Sequence, residues 1–444
     1  MFSVSISTQT PPVRFRYTYR DLMDKYGFFE LPIELSQLDS SDYYFSVGGV
    51  PKMMLSLINK FNKVRWVSLG PGYPPQVKYG DQRLFDFIDL DPENLKNYTR
   101  YKEGIYNESH GIEKYEIKPS EYISYADYNW ISAKKLLEFH NDSDVYFIND
   151  FQLLLVGGII GPSAPAILWY HIPFVPENLS PRIRDFIVRS FEGYDYVILS
   201  TKRDLEGLLR IGAKINARQV YPFIDTSTLR RGSKGEVDKV KSKYNIGKDE
   251  KVITVVARMD PMKSQDVAIM ALKKIKESNA KLLLVGNGSF TSGALGTNKA
   301  GNWVRKLQSL ASNLGVDKKV VFTGHVSDEE LNAIYEASDV IVLPSRIEGF
   351  GLVVCEGWFF EKPAIVSSGA GVSELVIDGS NGFVFKSGNY EELAEKIDIV
   401  LKEPDKYSRL SRDTVNKCNV EYAFNQLKDI FAQAMKDYGK NVNL

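Results

Sequence analysis

The stretch SRIEGFGLVVCEGWFFEKPAIVSS, residues 345–368, decides the fold. It follows an apolar run, 339–344, that reads as a buried parallel strand, and Gly349 and Gly351 stand where this strand has to turn into a helix. At such a helix start the unpaired backbone N–H groups and the positive end of the dipole face whatever lies in the loop, and a phosphate satisfies both. Glu348 stands in the loop, whereas Glu356 falls near two turns into the helix, about 12 Å further along at about 1.5 Å per residue. That spacing is on the length scale of a nucleotide sugar.

Outward from this stretch, strands and helices alternate. Upstream lie a strand over 252–257, a helix over 265–277, a strand over 281–285, a helix over 303–314, a strand over 320–323 and a helix over 328–337, for which Ser327 and Glu330 form a capping box. A strand over 364–366 continues the series downstream, and 289–302 reads as a mobile surface loop. Residues 222–249 are polar and rich in Lys, Ser and Gly, and their start reads as an interdomain linker. Before it comes an earlier series: a strand over 43–47 ending at Gly48 and Gly49, a helix over 51–61, strands over 64–69 and 145–149, and βα units from there to 221. The tyrosine-rich stretch 73–124 reads as irregular around a short strand at 84–90, with a helix starting at Asp127. Alternation of this kind means parallel sheets covered on both faces. The expectation is α/β: two doubly wound Rossmann-like domains, 1–222 and 223–420, facing a central cleft at the carboxyl ends of both sheets, with an amphipathic helix in 421–444 crossing back to the first domain.

The totals exclude several classes. The 444 residues carry 56 Lys and Arg against 56 Asp and Glu, a net charge of zero, so no excess of positive charge argues for nucleic acid or an anionic membrane as an obligatory partner. Only Cys355 and Cys418 occur, without paired spacing, and the start MFSVSISTQT lacks the basic flank and apolar core of a signal peptide; a cytoplasmic protein is expected. The uncharged run 151–170 is broken by Gly157, Gly158, Gly161, Pro162 and Pro165 into pieces too short to span a bilayer. Asp89-Leu-Asp91 and Asp142-Ser-Asp144 are too brief to imply a metal, and none is expected.

The string E-G-F-G-L-x-x-x-E, from Glu348 through Gly349, Phe350, Gly351 and Leu352 to Glu356, closely resembles the nucleotide-sugar signature of retaining glycosyltransferases of family 4, which have the GT-B fold. The resemblance implies that Glu348 and the amides after it hold the donor sugar and phosphates, and that Glu356 binds the ribose. The motif R-M-D-P-M-K places Arg258 and Lys263 at a strand end, and it looks like the cation pair that family 4 and the trehalose-phosphate synthases set on the donor phosphates. His171 in H-I-P-F is similar to the synthase His that contacts the donor sugar; Asn149-Asp150-Phe151-Gln152-Leu153 resembles the synthase H-D-Y-H-L, which puts Asp150 on the acceptor side; Val47-Gly48-Gly49-Val50 resembles the synthase glycine loop, which implies donor binding by Gly48 and Gly49. Two departures are plain. Asn149 replaces His, and the early Arg that holds the acceptor phosphate has no clear counterpart, Arg14, Arg16 and Arg20 being read as surface charges.

The implied activity is retaining transfer of a hexose, glucose first, from a nucleotide diphosphate sugar (UDP-, ADP- or GDP-linked) to a small sugar or sugar phosphate, as in trehalose synthesis, with no metal. Arg258 and Lys263 would stabilise the leaving diphosphate, Glu348 and His171 orient the sugar, and Asp150 position the acceptor. Two other readings stay open: a transferase acting on a lipid-linked or glycan acceptor at the membrane surface, and a sugar-nucleotide epimerase of GT-B fold. Donor base, acceptor and any homo-oligomer are not specified by these residues.

Overall fold

A computed structural model describes residues 2–46, 48–161, 163–277, 279–286 and 299–439. The chain forms two compact units, Met1–Pro222 with Ala423–Leu444, and Phe223–Tyr422. Val47 of the expected glycine loop and 289–298 of the expected surface loop lie outside the described residues; 299–302 belong to the helix Lys299–Leu314.

The sheet of the second unit has six strands, and every neighbouring pair is parallel. In chain order these are Lys251–Val256, Ala280–Val285, Val320–Gly324, Val340–Leu343, Ala364–Ser367 and Gly382–Phe385, and they lie as 3-2-1-4-5-6. Such an order reverses direction between strands 1 and 4, where the crossovers leave in opposite senses and open a crevice at the strands' carboxyl ends. Val340–Leu343, VIVL, is buried throughout, as a strand covered on both faces must be.

The first unit repeats this plan. Its nine-stranded sheet contains seven successive parallel strands, Ser3–Thr8, Lys63–Leu69, Arg83–Ile88, Val145–Asn149, Ala166–Tyr170, Tyr196–Leu199 and Ala217–Gln219, ordered 3-2-1-4-5-6-7. The short strand Gln76–Lys78 runs antiparallel beside strand 3, and Ile33–Glu34 forms the edge beyond it. Strand 1, SVSIST, is the central strand. Its buried hydroxyls are satisfied locally: Ser7 Oγ donates to Val67 O at 3.2 Å and Thr8 Oγ1 accepts from Trp66 Nε1 at 2.8 Å.

Three expectations need correction. The stretch 73–124 holds one long helix and the start of a second: Pro92–Ser109 begins behind the N-cap Asp91, whose carboxylate accepts from Glu93 and Asn94 N–H, and Pro119–Leu137 starts eight residues before Asp127. Tyr98, Tyr101, Tyr125 and Tyr128 are fully buried between these helices, with Tyr98–Tyr128 and Tyr101–Tyr125 ring centroids 4.7 and 4.5 Å apart. The polar stretch after the linker holds the helix Lys234–Lys243. The capping box at Ser327 is half formed: Ser327 accepts from Glu330 N–H, but the Glu330 carboxylate goes to Lys243 Nζ and Tyr244 OH, each at 2.6 Å. The helix Val420–Asp437 places Phe431 against Phe2, Phe61 and Phe147, at 5.7, 6.1 and 5.1 Å, in the core of the first unit.

Candidate active site

In the second unit the two loops at the switch point are tied together. After strand 1 the chain runs through Arg258 into the 3-10 turn Pro261–Lys263, capped by Asp260, whose carboxylate accepts from Met262 N–H at 2.9 Å. After strand 4 the Arg346 N–H donates to Met262 O at 3.0 Å. Lys263 Nζ forms an ion pair with Glu348 Oε2, to which Ser345 Oγ also donates at 3.2 Å. The Glu348 backbone is pinned as well, its N–H donating to Gly369 O at 3.1 Å and its C=O accepting from Gly371 N–H at 3.2 Å. Arg258 is exposed, and among the described residues its guanidinium makes no ion pair; the loop behind it is held by Gln265 Nε2, which donates to Arg258 O at 2.7 Å. Ser264 sits at φ 51° as the N-cap of Gln265–Lys274 and makes no cap bond with its hydroxyl.

The turn into the helix Leu352–Phe359 requires glycine at position 351. Gly351 has φ 112°, and a Cβ there would stand 2.4 Å from Leu343 Cδ2 and 3.2 Å from Val372 Cγ1. Among the described residues the N–H groups of Gly349, Gly351, Leu352 and Val353 donate to no other group. Bare amides and a helix N-terminus beside one exposed and one paired cation have the chemistry to receive an anion. Phe350 is buried under the turn, its C=O accepting from Val372 N–H at 2.9 Å. Glu356, in the second turn of the helix, accepts from Tyr335 OH at 2.6 Å; Tyr335 is fully buried, and burial together with the Glu356 charge pushes its phenol well up, so it stays a donor.

In the first unit Asp150 and His171 follow strands 4 and 5. Asp150 sits at φ 77°, its N–H donating to Trp169 O at 2.8 Å and its Oδ1 accepting from His171 N–H at 2.9 Å. Burial raises its carboxyl to about 6. His171 Nε2 lies 3.1 Å from Asn149 Oδ1, its ring centroid 4.8 Å from that of Trp169, and burial lowers its pKa to about 3. Asn149 Nδ2 donates to Phe147 O at 3.2 Å, which turns Oδ1 toward the imidazole and assigns Nε2–H as a donor. His171 Nδ1, which has no hydrogen-bond partner among the described residues, is then an acceptor. Asn149, which in the sequence stands only as a replacement for His, is the residue that orients the imidazole.

The remaining candidates are placed as follows. Gly48 and Gly49, the latter at φ 60°, open the helix Gly49–Leu57, and a Cβ at either would meet nothing within 4 Å. Arg16 and Arg20 are exposed and Arg14 is half-buried, Arg16 lying 5.4 Å over the Tyr44 ring. Both short acidic pairs are engaged in the fold: Asp89 accepts from Gly72 N–H at 3.0 Å, Asp91 caps a helix, Asp142 pairs with Lys63 and Arg65, and Asp144 accepts from Ser3 N–H at 2.8 Å.

Residues 236–416 match the family Glycosyl transferases group 1. The D-inositol 3-phosphate glycosyltransferase of Mycolicibacterium smegmatis is 27% identical over 247 residues, 55% of this chain and 54% of that protein. An uncharacterized glycosyltransferase of Methanocaldococcus jannaschii is 34% identical over 169 residues, 37% of this chain and 40% of its own length. The chain thus spans about half the length of the curated relatives it matches. Among solved structures, the trehalose-6-phosphate synthase OtsA superposes with a TM-score of 0.75 at 16% identity, covering 97% of this chain and 99% of its own. Anabaena HepE in complex with UDP and glucose gives 0.67 at 16% identity, covering 97% and 100%. The structural likenesses establish the GT-B fold, and 236–416 is the part of the chain similar to the glycosyl transferases group 1 family.

Proposed function

We propose that the protein is a retaining glycosyltransferase that moves a hexose, glucose first, from a nucleotide diphosphate sugar to a small sugar or sugar phosphate. The observation that carries this reading is the switch point of the second sheet, where Lys263 is held on Glu348 beside the unpartnered amides of Gly349, Gly351, Leu352 and Val353. A diphosphate takes those amides and the cations Arg258 and Lys263, and Glu348, once Lys263 turns to phosphate, accepts from the sugar hydroxyls. Glu356, aligned by Tyr335, accepts from the ribose. The relatives' names support the same class: one acts on D-inositol 3-phosphate, and the structural neighbours bind UDP and glucose or make trehalose 6-phosphate.

In the proposed reaction the bond between the anomeric carbon and the phosphate oxygen breaks, and the acceptor oxygen bonds to that carbon on the same face. The acceptor proton passes to the leaving phosphate oxygen, which Arg258, Lys263 and the amides stabilise as charge develops. Asp150 receives an acceptor hydroxyl, and the neutral His171 accepts from the sugar at Nδ1. No step requires a metal, and turnover is expected to persist in chelator. The decisive experiment is product analysis by NMR with UDP-, ADP- and GDP-glucose against glucose and glucose 6-phosphate. Transfer with the donor's anomeric configuration kept is expected. An inverted product, or conversion of the nucleotide sugar without any acceptor, overturns the reading.

A further inference from the structure

The first unit carries a groove that the proposed reaction does not use. It has a volume of about 660 Å³ and lies between the helices Pro119–Leu137 and Pro181–Phe191, floored by Leu154, Leu155 and Phe186, walled by Tyr122, and rimmed by Arg182 and Arg189. The rim is cationic in effect. Asp185 between the two arginines is held by Arg184 at 3.1 Å, whereas Arg182 and Arg189 make no ion pair among the described residues. The seven-residue separation puts them on one side of their helix, about 10 Å apart along it.

The apolar surface continues past the groove. At about 100° per residue, Ala126, Trp130 and Ile123 follow Tyr122 round the face of Pro119–Leu137. Ile123 and Trp130 are each 57% exposed, a cost a soluble surface does not normally bear in a cluster. Lys134 is exposed on the same face, and Asp127 is the acidic group there. Asn129 fixes the helix to the groove floor, its Oδ1 accepting from Leu155 N–H at 3.0 Å. The zero net charge that argues against an anionic partner is a sum over the whole chain, and this face departs from it.

We propose that the groove and the adjoining helical face are a docking surface for a bilayer containing acidic phospholipid. One acyl chain lies over Leu155 and Phe186, the headgroup phosphate sits between Arg182 and Arg189, and Trp130 and Ile123 enter the interfacial layer. An apolar trough flanked by unpaired guanidinium groups and an exposed indole is the composition of an interfacial contact. The inference does not depend on the donor, the acceptor or the stereochemistry of the reaction.

The test is sedimentation of the full chain with phosphatidylcholine vesicles, with and without phosphatidylglycerol, at physiological salt. Binding is expected only to the acidic vesicles, falling about fivefold in Arg182→Gln and about fivefold again when Arg189→Gln is added. Gly158→Trp fills the groove from a position where a side chain meets open space, and Trp130→Ser removes the indole; both should weaken binding several-fold while leaving the circular dichroism spectrum and turnover of soluble substrates as they are. Failure to sediment with acidic vesicles overturns the proposal. So does equal binding to neutral ones, or binding that all four substitutions leave intact. If sedimentation velocity instead shows a dimer that Trp130→Ser dissociates, and vesicles do not bind, the face is a contact between copies of this chain and the lipid proposal falls.

Discussion

The two sheets share one strand order, yet the loops at their switch points leave different groups available. In the second unit these are backbone amides and cations, with Lys263 parked on Glu348 and Arg258 exposed. In the first they are a carboxyl raised to about 6 and an imidazole held neutral, both by burial. One topology therefore presents bare amides and cations in one copy and a buried carboxyl beside a neutral imidazole in the other. The same crevice is specialised by a handful of loop residues, and the strands beneath serve as a common mount.

The sharpest way to break this contrast is to empty the cradle. Arg258→Ala with Lys263→Ala should lower kcat by about 10³-fold while the protein stays folded, because both cations act on charge that grows in the transition state. Near-normal turnover in single-turnover kinetics would show that the diphosphate lies elsewhere. Gly351→Ala attacks the cradle's shape instead. A positive φ and a Cβ 2.4 Å from Leu343 Cδ2 should together cost about 2–4 kcal/mol, read as a lower denaturation midpoint, with loss of nucleotide-induced stabilisation. An unchanged midpoint would mean the turn relaxes freely. Glu356→Gln should raise KM for the nucleotide sugar about tenfold with kcat little changed, since a charge-assisted hydrogen bond is weakened in ground and transition states alike. Tyr335→Phe should do the same more weakly.

The first unit is probed by pH, with the smallest effects. His171 falls from 6.5 to about 3 on folding, so its contribution is present above 6.5 and is lost as pH falls toward 3. Asp150 rises from 3.8 to about 6, so its contribution is present below 3.8 and is lost as pH rises through 6. Between 3.8 and 6 the two slopes, each at most about 1.4 kcal/mol per pH unit, oppose each other. Urea denaturation in that window should show the two contributions offsetting one another. His171→Asn should tilt the curve toward greater stability at acid pH, and Asp150→Asn should tilt it the other way. Parallel shifts in both variants would show that neither group titrates as its burial requires.

Much of the second unit was legible because its strands are unbroken apolar runs and its turn carries glycines where geometry admits nothing else. The first unit was harder for physical reasons. Ser3–Thr8 is a central strand with hydroxyls at alternate positions, so its pattern looks polar; Ser5, Ser7 and Thr8 are buried because the Ser143 hydroxyl, the Val67 carbonyl and the Trp66 indole N–H receive or supply their hydrogen bonds. Pro92–Ser109 hid because tyrosine is a weak helix former, and only the helical spacing of Tyr98 and Tyr101, with Asp91-Pro92 ahead of them, marked it. The Asn149–His171 contact joins residues 22 apart along the chain, a pairing that exists only once two parallel strands lie side by side.

The helix Val420–Asp437 has a consequence for biosynthesis. Its Phe424 and Phe431 cover Phe2, Phe61 and Phe147, so the unit whose strands leave the ribosome first waits for a segment translated some two hundred residues later. The later unit, Phe223–Tyr422, is one continuous stretch of chain. The nascent chain is therefore expected to mature out of order, and a stop codon near Asn419 would leave the early half with an open hydrophobic seam for chaperones and proteases to find.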